Sequence, residues 1–288
     1  MRKKVIALAM IAAMVVSLTA CGGKNNDKQG KDSTESLKVA YQSGIAYAPI
    51  LVMKDQKLIE KNYDGNVDID WQLLSGGAAI SEGLTSNTVD VGAIGTGVAI
   101  TGAKAGAPYK IFAGMSSQPY RISTNKEEIK TLKDITKEDQ IAITGINSQP
   151  HIVLAMAAKA YLGDAHALDA NLVAQPNADG YTSLVSGAVQ CHMIMSPYCF
   201  MEQNKEGIHQ IEVDESVWPV GDTTIVGVAT DKLKEERPKL YEAVCKAMDE
   251  AIEFINDNPE KTADILKDYY DASQEEIVSW LTNDASVF

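Results

Sequence analysis

The sequence predicts an α/β protein of two Rossmann-like lobes, and three observations carry that expectation. Short runs rich in Val and Ile alternate with longer stretches of helical periodicity, the rhythm of βα units around a largely parallel sheet. Two patterns each recur once: Gly44-Ile45-x-x-x-Pro49 returns 101 residues later as Gly145-Ile146-x-x-x-Pro150, and Leu84-x-Ser86-x-x-Val89-Asp90 returns 100 residues later as Leu184-x-Ser186-x-x-Val189-Gln190. Downstream of the N-terminal leader, about 250 residues from Leu37 onward suffice for one large core or two smaller ones.

In chain order, Arg2, Lys3 and Lys4 precede an apolar run from Val5 to Val16, the layout of a secretory signal peptide over residues 1–20. That run is too short to span a bilayer. Residues 21–36 form a flexible tether, because Gly22 to Ser36 is too polar to offset its ordering entropy. Strands are expected at Leu37 to Tyr41, Val67 to Leu74, Val89 to Ile94 and Tyr109 to Ala113, with helices at Ala48 to Lys61, Gly77 to Ser86 and Gly97 to Ala105. The rhythm repeats with strands at Gln140 to Thr144, Leu172 to Ala174, His192 to Met195 and Ile208 to Val213, and with helices starting at Pro150, Asp179 and Pro197. From Lys232 to Leu281 the pattern is almost wholly helical.

The formal net charge is −13, and removing the three leader cations takes it to −16, which disfavours a nucleic-acid partner. Beyond Cys21 the cysteines are Cys191, Cys199 and Cys245, an odd number with no Cys-x-x-Cys spacing. That pattern suggests neither a disulfide framework nor a zinc site, and no cofactor is expected; buried, inert thiols are the simpler reading.

Two resemblances sharpen the expectation. Leu18-Thr19-Ala20-Cys21-Gly22 resembles the lipobox of bacterial lipoproteins, which implies acylation of Cys21 as the mature N-terminus and a membrane attachment through lipid on the outer face of the cytoplasmic membrane. The segment Ser81 to Thr96, with Val89-Asp90-Val91-Gly92 and Gly95-Thr96, is followed by Ala105-Gly106-Ala107-Pro108; it resembles the binding proteins for nitrate, sulfonates, taurine and thiamine precursors. Ala46-Tyr47-Ala48-Pro49 with Met53-Lys54 and Leu58-Ile59-Glu60-Lys61 is similar to that family's first βα unit. Leu132-Lys133-Asp134-Ile135, Ile141-Ala142-Ile143 and Ser148-x-x-His151 resemble the start of its second lobe.

The resemblance implies the type II periplasmic-binding-protein fold, with two lobes joined by a two-crossing hinge. Crossings near Gln118 to Ile122 and Trp218 to Thr224 assign residues 37–120 and 219–288 to lobe one and 121–218 to lobe two. It further implies a monomer that hands a small-molecule solute to a cognate ABC permease and ATPase. Two departures stand out. Val189-Gln190-Cys191 replaces the family's second Val-Asp-Ala, which points to a specialised site around Ser196, and the family continues with further helical segments beyond the position of Phe288.

Open α/β sheets bind ligands beyond the C-terminal ends of their strands. The candidate contacts there are Ser43, Tyr47, Gly76, Gly77, Gly95, Thr96, Ser116, Ser117, Asn147, Ser148, His151, Ser196, Tyr198 and Trp218. Glycines and hydroxyls at strand-to-helix turns leave backbone N–H groups free for an oxyanion, although the same residues are ordinary helix caps. No Lys or Arg lies in these loops, so a small organic anion held by dipoles fits better than a highly charged phosphate. Tyr47, Tyr198 and Trp218 offer surfaces for the alternative, a pyrimidine or other aromatic solute. His151 suits either a ligand or a nearby backbone group, whereas His192 reads as a satisfied core histidine.

An enzyme is not expected: no Ser-His-Asp, Walker or HExxH pattern appears, and Cys191, His192 and Cys199 lack the tight cysteine cluster of the pyrimidine-synthesis enzymes that share the implied fold. A sensing module docked on a membrane receptor would use the same cleft.

Overall fold

The computed structural model describes residues 34–288 apart from 212, 214, 215 and 220. The leader, Cys21 and the tether as far as residue 33 lie outside the described residues. The chain opens with β1 (Glu35–Tyr41), a 3-10 turn, α1 (Ala48–Asp55), α2 (Leu58–Asn62), β2 (Val67–Leu73), α3 (Gly77–Thr85), β3 (Val91–Gly95), α4 (Thr96–Lys104) and β4 (Tyr109–Ser116). It continues with β5 (Tyr120–Thr124), β6 (Ile141–Ile143), α5 (Gln149–Leu162), β7 (Leu172–Ala174), α6 (Asn177–Ser186), β8 (Cys191–Met195), α7 (Tyr198–Gln203) and β9 (His209–Ile211). Last come β10 (Ile225–Thr230), α8 (Asp231–Glu236), α9 (Pro238–Asp257), α10 (Pro259–Leu266) and α11 (Gln274–Leu281).

The strands form two five-stranded sheets of one design, ordered β2-β1-β3-β10-β4 and β7-β6-β8-β5-β9. In each, one interior strand runs antiparallel to both neighbours: β10 against β3 and β4, β5 against β8 and β9. The remaining pairs are parallel. Strands covered on both faces read as unbroken apolar runs, which is why β3, β8 and β10 are buried throughout, while β2 at a sheet edge is only half-buried. Leu240, Ala243, Val244, Ala247, Met248, Ala251 and Ile255 recur at helical spacing along α9 and are buried, packing that helix on α1 and α2.

The sequence repeats fall at equivalent places in the two sheets. Gly44 and Gly145 both adopt positive φ, 140° and 155°, between β1 and α1 in the one case and β6 and α5 in the other, both helices carrying proline in the first turn. Asp90 accepts the backbone N–H of Lys38 at 2.9 Å, and Gln190 accepts that of Gln140 at 3.0 Å. Gln190 therefore does in the second sheet what Asp90 does in the first. It sits at the opposite end of β8 from Ser196. Asp90 also pairs with Arg237 at 2.5 Å, and Arg237 donates to the Ser36 carbonyl, fixing the start of α9 to the sheet.

The helix expected from Ala48 to Lys61 is two, because Lys57 takes a left-handed conformation at φ 51°. Tyr120–Thr124 and Ile225–Thr230 are strands that the sequence reading leaves unassigned. These two are the antiparallel strands, inserted mid-sheet without the βα rhythm that betrays the others.

Candidate functional site

The loops that leave the C-terminal ends of β1, β3, β6 and β8 meet around a small cavity. Gln42, Tyr47, Gly77, Gly95, Val98 and Ile225 line it from the first sheet and its helices; Tyr120, Thr144, Ser148, Gln149, Pro150, Asn177, Ile194 and Met195 line it from the second. None of these side chains carries a formal charge, and Arg121 turns away to donate to the Tyr120 carbonyl at 2.9 Å.

Two side chains bridge the cavity. Gln149, at the start of α5 and 4% exposed, accepts the Gly97 backbone N–H through Oε1 at 2.7 Å. Asn177, at the start of α6, donates through Nδ2 to the Ser43 carbonyl at 3.2 Å. The approach at Gln149 requires glycine opposite: a Cβ on Gly95 would stand 2.4 Å from Gln149 Cβ, and one on Gly97 2.9 Å from its Oε1. Gln149 Nε2, Asn177 Oδ1 and the Tyr120 hydroxyl are buried and have no hydrogen-bond partner.

Four of the sequence candidates line the cavity: Tyr47, Gly77, Gly95 and Ser148. Burial pushes the Tyr47 phenol well above its usual range, against a smaller opposing effect of its hydrogen bond with Gln42, so Tyr47 enters the cavity neutral. Ser148 caps α5, its Oγ accepting the His151 N–H at 3.4 Å. Gly76 caps α3 in extended conformation, set back from the wall. Ser43 contributes its carbonyl to Asn177 and hydrogen-bonds the Tyr198 hydroxyl.

The other candidates have structural partners. Thr96 uses both its groups on the segment just before β10, its N–H to the Thr224 carbonyl at 2.9 Å and its hydroxyl to the Thr223 carbonyl at 2.7 Å. Ser116 donates to the Ala46 carbonyl, and Ser117 pairs with Val287 while its Oγ accepts the Gly221 N–H. Asn147, at φ 61°, is exposed and donates its N–H to His151 Nδ1 at 2.9 Å; His151 Nε2 faces Asp169 at 3.4 Å, so the backbone role of His151 is the one realised. Ser196 is 1% exposed and hydrogen-bonds Gln118. Tyr198 meets Tyr181 at a tilt with ring centroids 5.9 Å apart, and Trp218 meets Tyr120 edge-on at 6.3 Å, lining a separate cavity beside α5.

Away from the cavity, His192 pairs with Glu202 at 2.5 Å, both fully buried. Burial raises the Cys191 thiol to about 11 and the Cys199 thiol higher still. Sequence reasoning missed Gln42, Val98, Tyr120, Thr144, Gln149, Pro150, Asn177, Ile194, Met195 and Ile225. Gln42, directly after β1, and Gln149, at the end of the β6–α5 loop, stood in the right loops, but a search for glycines and hydroxyls passes over amides.

Two facing α/β sheets with a polar cavity at their strand ends define the architecture of the periplasmic binding proteins, and solved structures bear this out. The periplasmic aliphatic sulphonate binding protein of Escherichia coli is similar at TM-score 0.66 and 21% identity, over 86% of this chain and 83% of that one. The alkanesulfonate-binding protein of Xanthomonas axonopodis pv. citri, bound to MOPS, is similar at TM-score 0.69 and 16% identity, over 85% and 83%. The periplasmic nitrate-binding protein of Synechocystis PCC 6803 is similar at TM-score 0.68 and 17% identity, over 86% and 70%. No curated protein sequence matches this chain. The chain belongs to the NMT1-like family, which matches residues 30–267.

Proposed function

We propose that this chain is an extracytoplasmic solute-binding lipoprotein of an ABC importer that encloses a small organic anion, of sulfonate, nitrate or carboxylate type, between its two lobes. The observation that carries the reading is the set of buried polar atoms without partners around one cavity: Gln149 Nε2, Asn177 Oδ1 and the Tyr120 hydroxyl. Each such atom costs about 1–3 kcal/mol unless something occupies the space, so a polar solute that supplies the missing bonds stabilises the closed form. Similarity to sulfonate- and nitrate-binding proteins supports the same reading. With no cation on the wall, the anion is held by the Ser148 and Tyr120 hydroxyls, the Gln149 amide and the dipole at the start of α5. Residues 37–120 with 219–288 and residues 121–218 act as the two lobes, hinged at the crossings. The protein works as a monomer, anchored through Cys21, and hands its solute to a permease and ATPase without chemical change. Tyr47 and Tyr120 on the wall favour an aromatic solute as the second reading.

Thermal melts and calorimetry with ethanesulfonate, nitrate, benzoate and 4-aminopyrimidine test the proposal. A true ligand at a hundred times its Kd stabilises by about 2.7 kcal/mol, a shift of several degrees. Benzoate or 4-aminopyrimidine binding while ethanesulfonate and nitrate do not would favour the aromatic reading; no shift with any of the four would sink the proposal. Fatty-acid labelling of wild type but not of Cys21→Ala is expected, and equal labelling would remove the anchor.

A further inference from the structure

The cavity beside α5 has walls of a different chemistry from the first. Val153 and Ala157, one and two turns along α5 from Gln149, line it from the helix, and Ile122, Met193 and Ile211 line it from β5, β8 and β9. Of the described residues that line the two cavities, Tyr120 alone is common to both. Its remaining wall comes from the two links between the sheets: Gln118 lies between β4 and β5, and Trp218 between β9 and β10. The Gly221 N–H donates to Ser117 Oγ at 3.0 Å, which holds the second link beside the first.

Each link brings a polar atom that the protein leaves unused. Gln118 is 1% exposed and gives its Oε1 to the hydroxyls of Ser196 and Ser286, so its amide NH2 remains buried without a partner. The Trp218 indole N–H is buried and unpartnered as well, its ring held edge-on to Tyr120. Both groups only donate, and the aliphatic wall offers them no acceptor. Arg121, the charged residue on this wall, turns its guanidinium to the Tyr120 carbonyl. A charged occupant would lose its hydration against isoleucine, valine and methionine side chains, whereas one carbonyl oxygen accepts from two donors and leaves its apolar remainder to the wall.

We propose that this cavity is a second binding site, for an uncharged, mainly apolar molecule whose carbonyl oxygen accepts from Trp218 Nε1 and Gln118 Nε2. An occupant there touches both links between the sheets and the far side of Tyr120, and its binding does not depend on which solute fills the first cavity.

The test uses the full chain, labelled with nitrogen-15, and acetophenone as the carbonyl probe, with ethylbenzene as nearly the same shape lacking the acceptor. The indole N–H resonances of Trp71, Trp218 and Trp280 are followed by NMR, and the signal lost in Trp218→Phe identifies the one that matters. Acetophenone is expected to move the Trp218 resonance with a Kd below about 1 mM and to leave the other two in place. Ethylbenzene should bind at least about tenfold more weakly, because it leaves both donors unpaired. An excess of benzoate should leave the acetophenone-shifted resonance where it is. By calorimetry, Trp218→Phe, which keeps a ring but not the donor, and Ala157→Met, which extends a side chain into the space, should each weaken acetophenone about fivefold or more. A Trp218 resonance unmoved by acetophenone, an equal response to ethylbenzene, displacement by benzoate, or wild-type affinity in Trp218→Phe would overturn the site. If Ala157→Met fails to fold, the resonance shift and Trp218→Phe still decide. Failure of every solute offered to the first cavity would sink the proposed function and leave this site standing, since the Trp218 signal reports on it separately.

Discussion

Replacing Gly95 with alanine is the sharpest test of the closed geometry, because the residue is harmless to each half and obstructive only between them. Gly95 has φ −61° and ψ 140°, a conformation any residue adopts, so alanine adds no backbone strain. Its Cβ would lie 2.4 Å from Gln149 Cβ, 2.8 Å from Oε1 and 3.0 Å from Cγ, all on the opposite side of the cavity. Carbon atoms pack comfortably at about 3.5–4.0 Å, so the closed form must part by more than an ångström here and loses the Gly97 bond to Gln149. Overpacking of this kind costs about 1–3 kcal/mol, which corresponds to roughly 5- to 150-fold weaker binding. Calorimetry with whichever of ethanesulfonate, nitrate, benzoate and 4-aminopyrimidine binds wild type reads the affinity, and scattering at saturation should show a variant less compact than wild type. Without solute the two proteins should melt together. A variant that binds and compacts like wild type would refute the close approach of Gly95 to Gln149.

Asp90→Ala strips a partner from both the Lys38 N–H and the Arg237 guanidinium; it should cost about 1–3 kcal/mol and lower the melting temperature by several degrees, whereas Gln190→Ala, which removes one neutral bond, should cost less. Neither should change solute affinity, and a reversed order would contradict the equivalence of the two positions. Burial works to raise the Asp139 carboxyl, but hydrogen bonds from the Lys126 ammonium and from the Thr136 N–H and hydroxyl outweigh it and hold the group below its usual value. A carboxylate depressed by folding contributes stability above its unfolded value of about 3.9 and loses it as pH falls through the lower folded value. Acid titrations of the melting temperature should therefore drop less steeply below about pH 4 in Asp139→Asn than in wild type; parallel curves would discount the pair.

The repeating βα units were legible in the sequence because periodicity reports burial, and the recurrences at Gly44 and Gly145 mark a true structural equivalence. The antiparallel strands were not, since β5 follows β4 and β10 follows β9 with no helix between them to mark the βα rhythm. At the site, sequence located the loops but not the atoms. Thr96 has the residue type and the position of a ligand contact, yet its hydroxyl is consumed by a carbonyl 127 residues away, a pairing that no local pattern encodes. Gln149 appears in sequence as an ordinary first-turn residue beside a proline, and only the facing glycines reveal why it matters.

The two sheets differ in when they can be finished. All strands of the second lie in one contiguous stretch, from Tyr120 to Ile211, so it can be completed as soon as that stretch is available. The first cannot: β4 pairs within its sheet only with β10, which arrives more than a hundred residues later. Until then β3 and β4 present open edges that invite pairing with other chains. A chain emerging N-terminus first thus carries its most aggregation-prone surface for the longest time, and its first half depends on late synthesis, on delayed folding or on a chaperone to reach the native sheet.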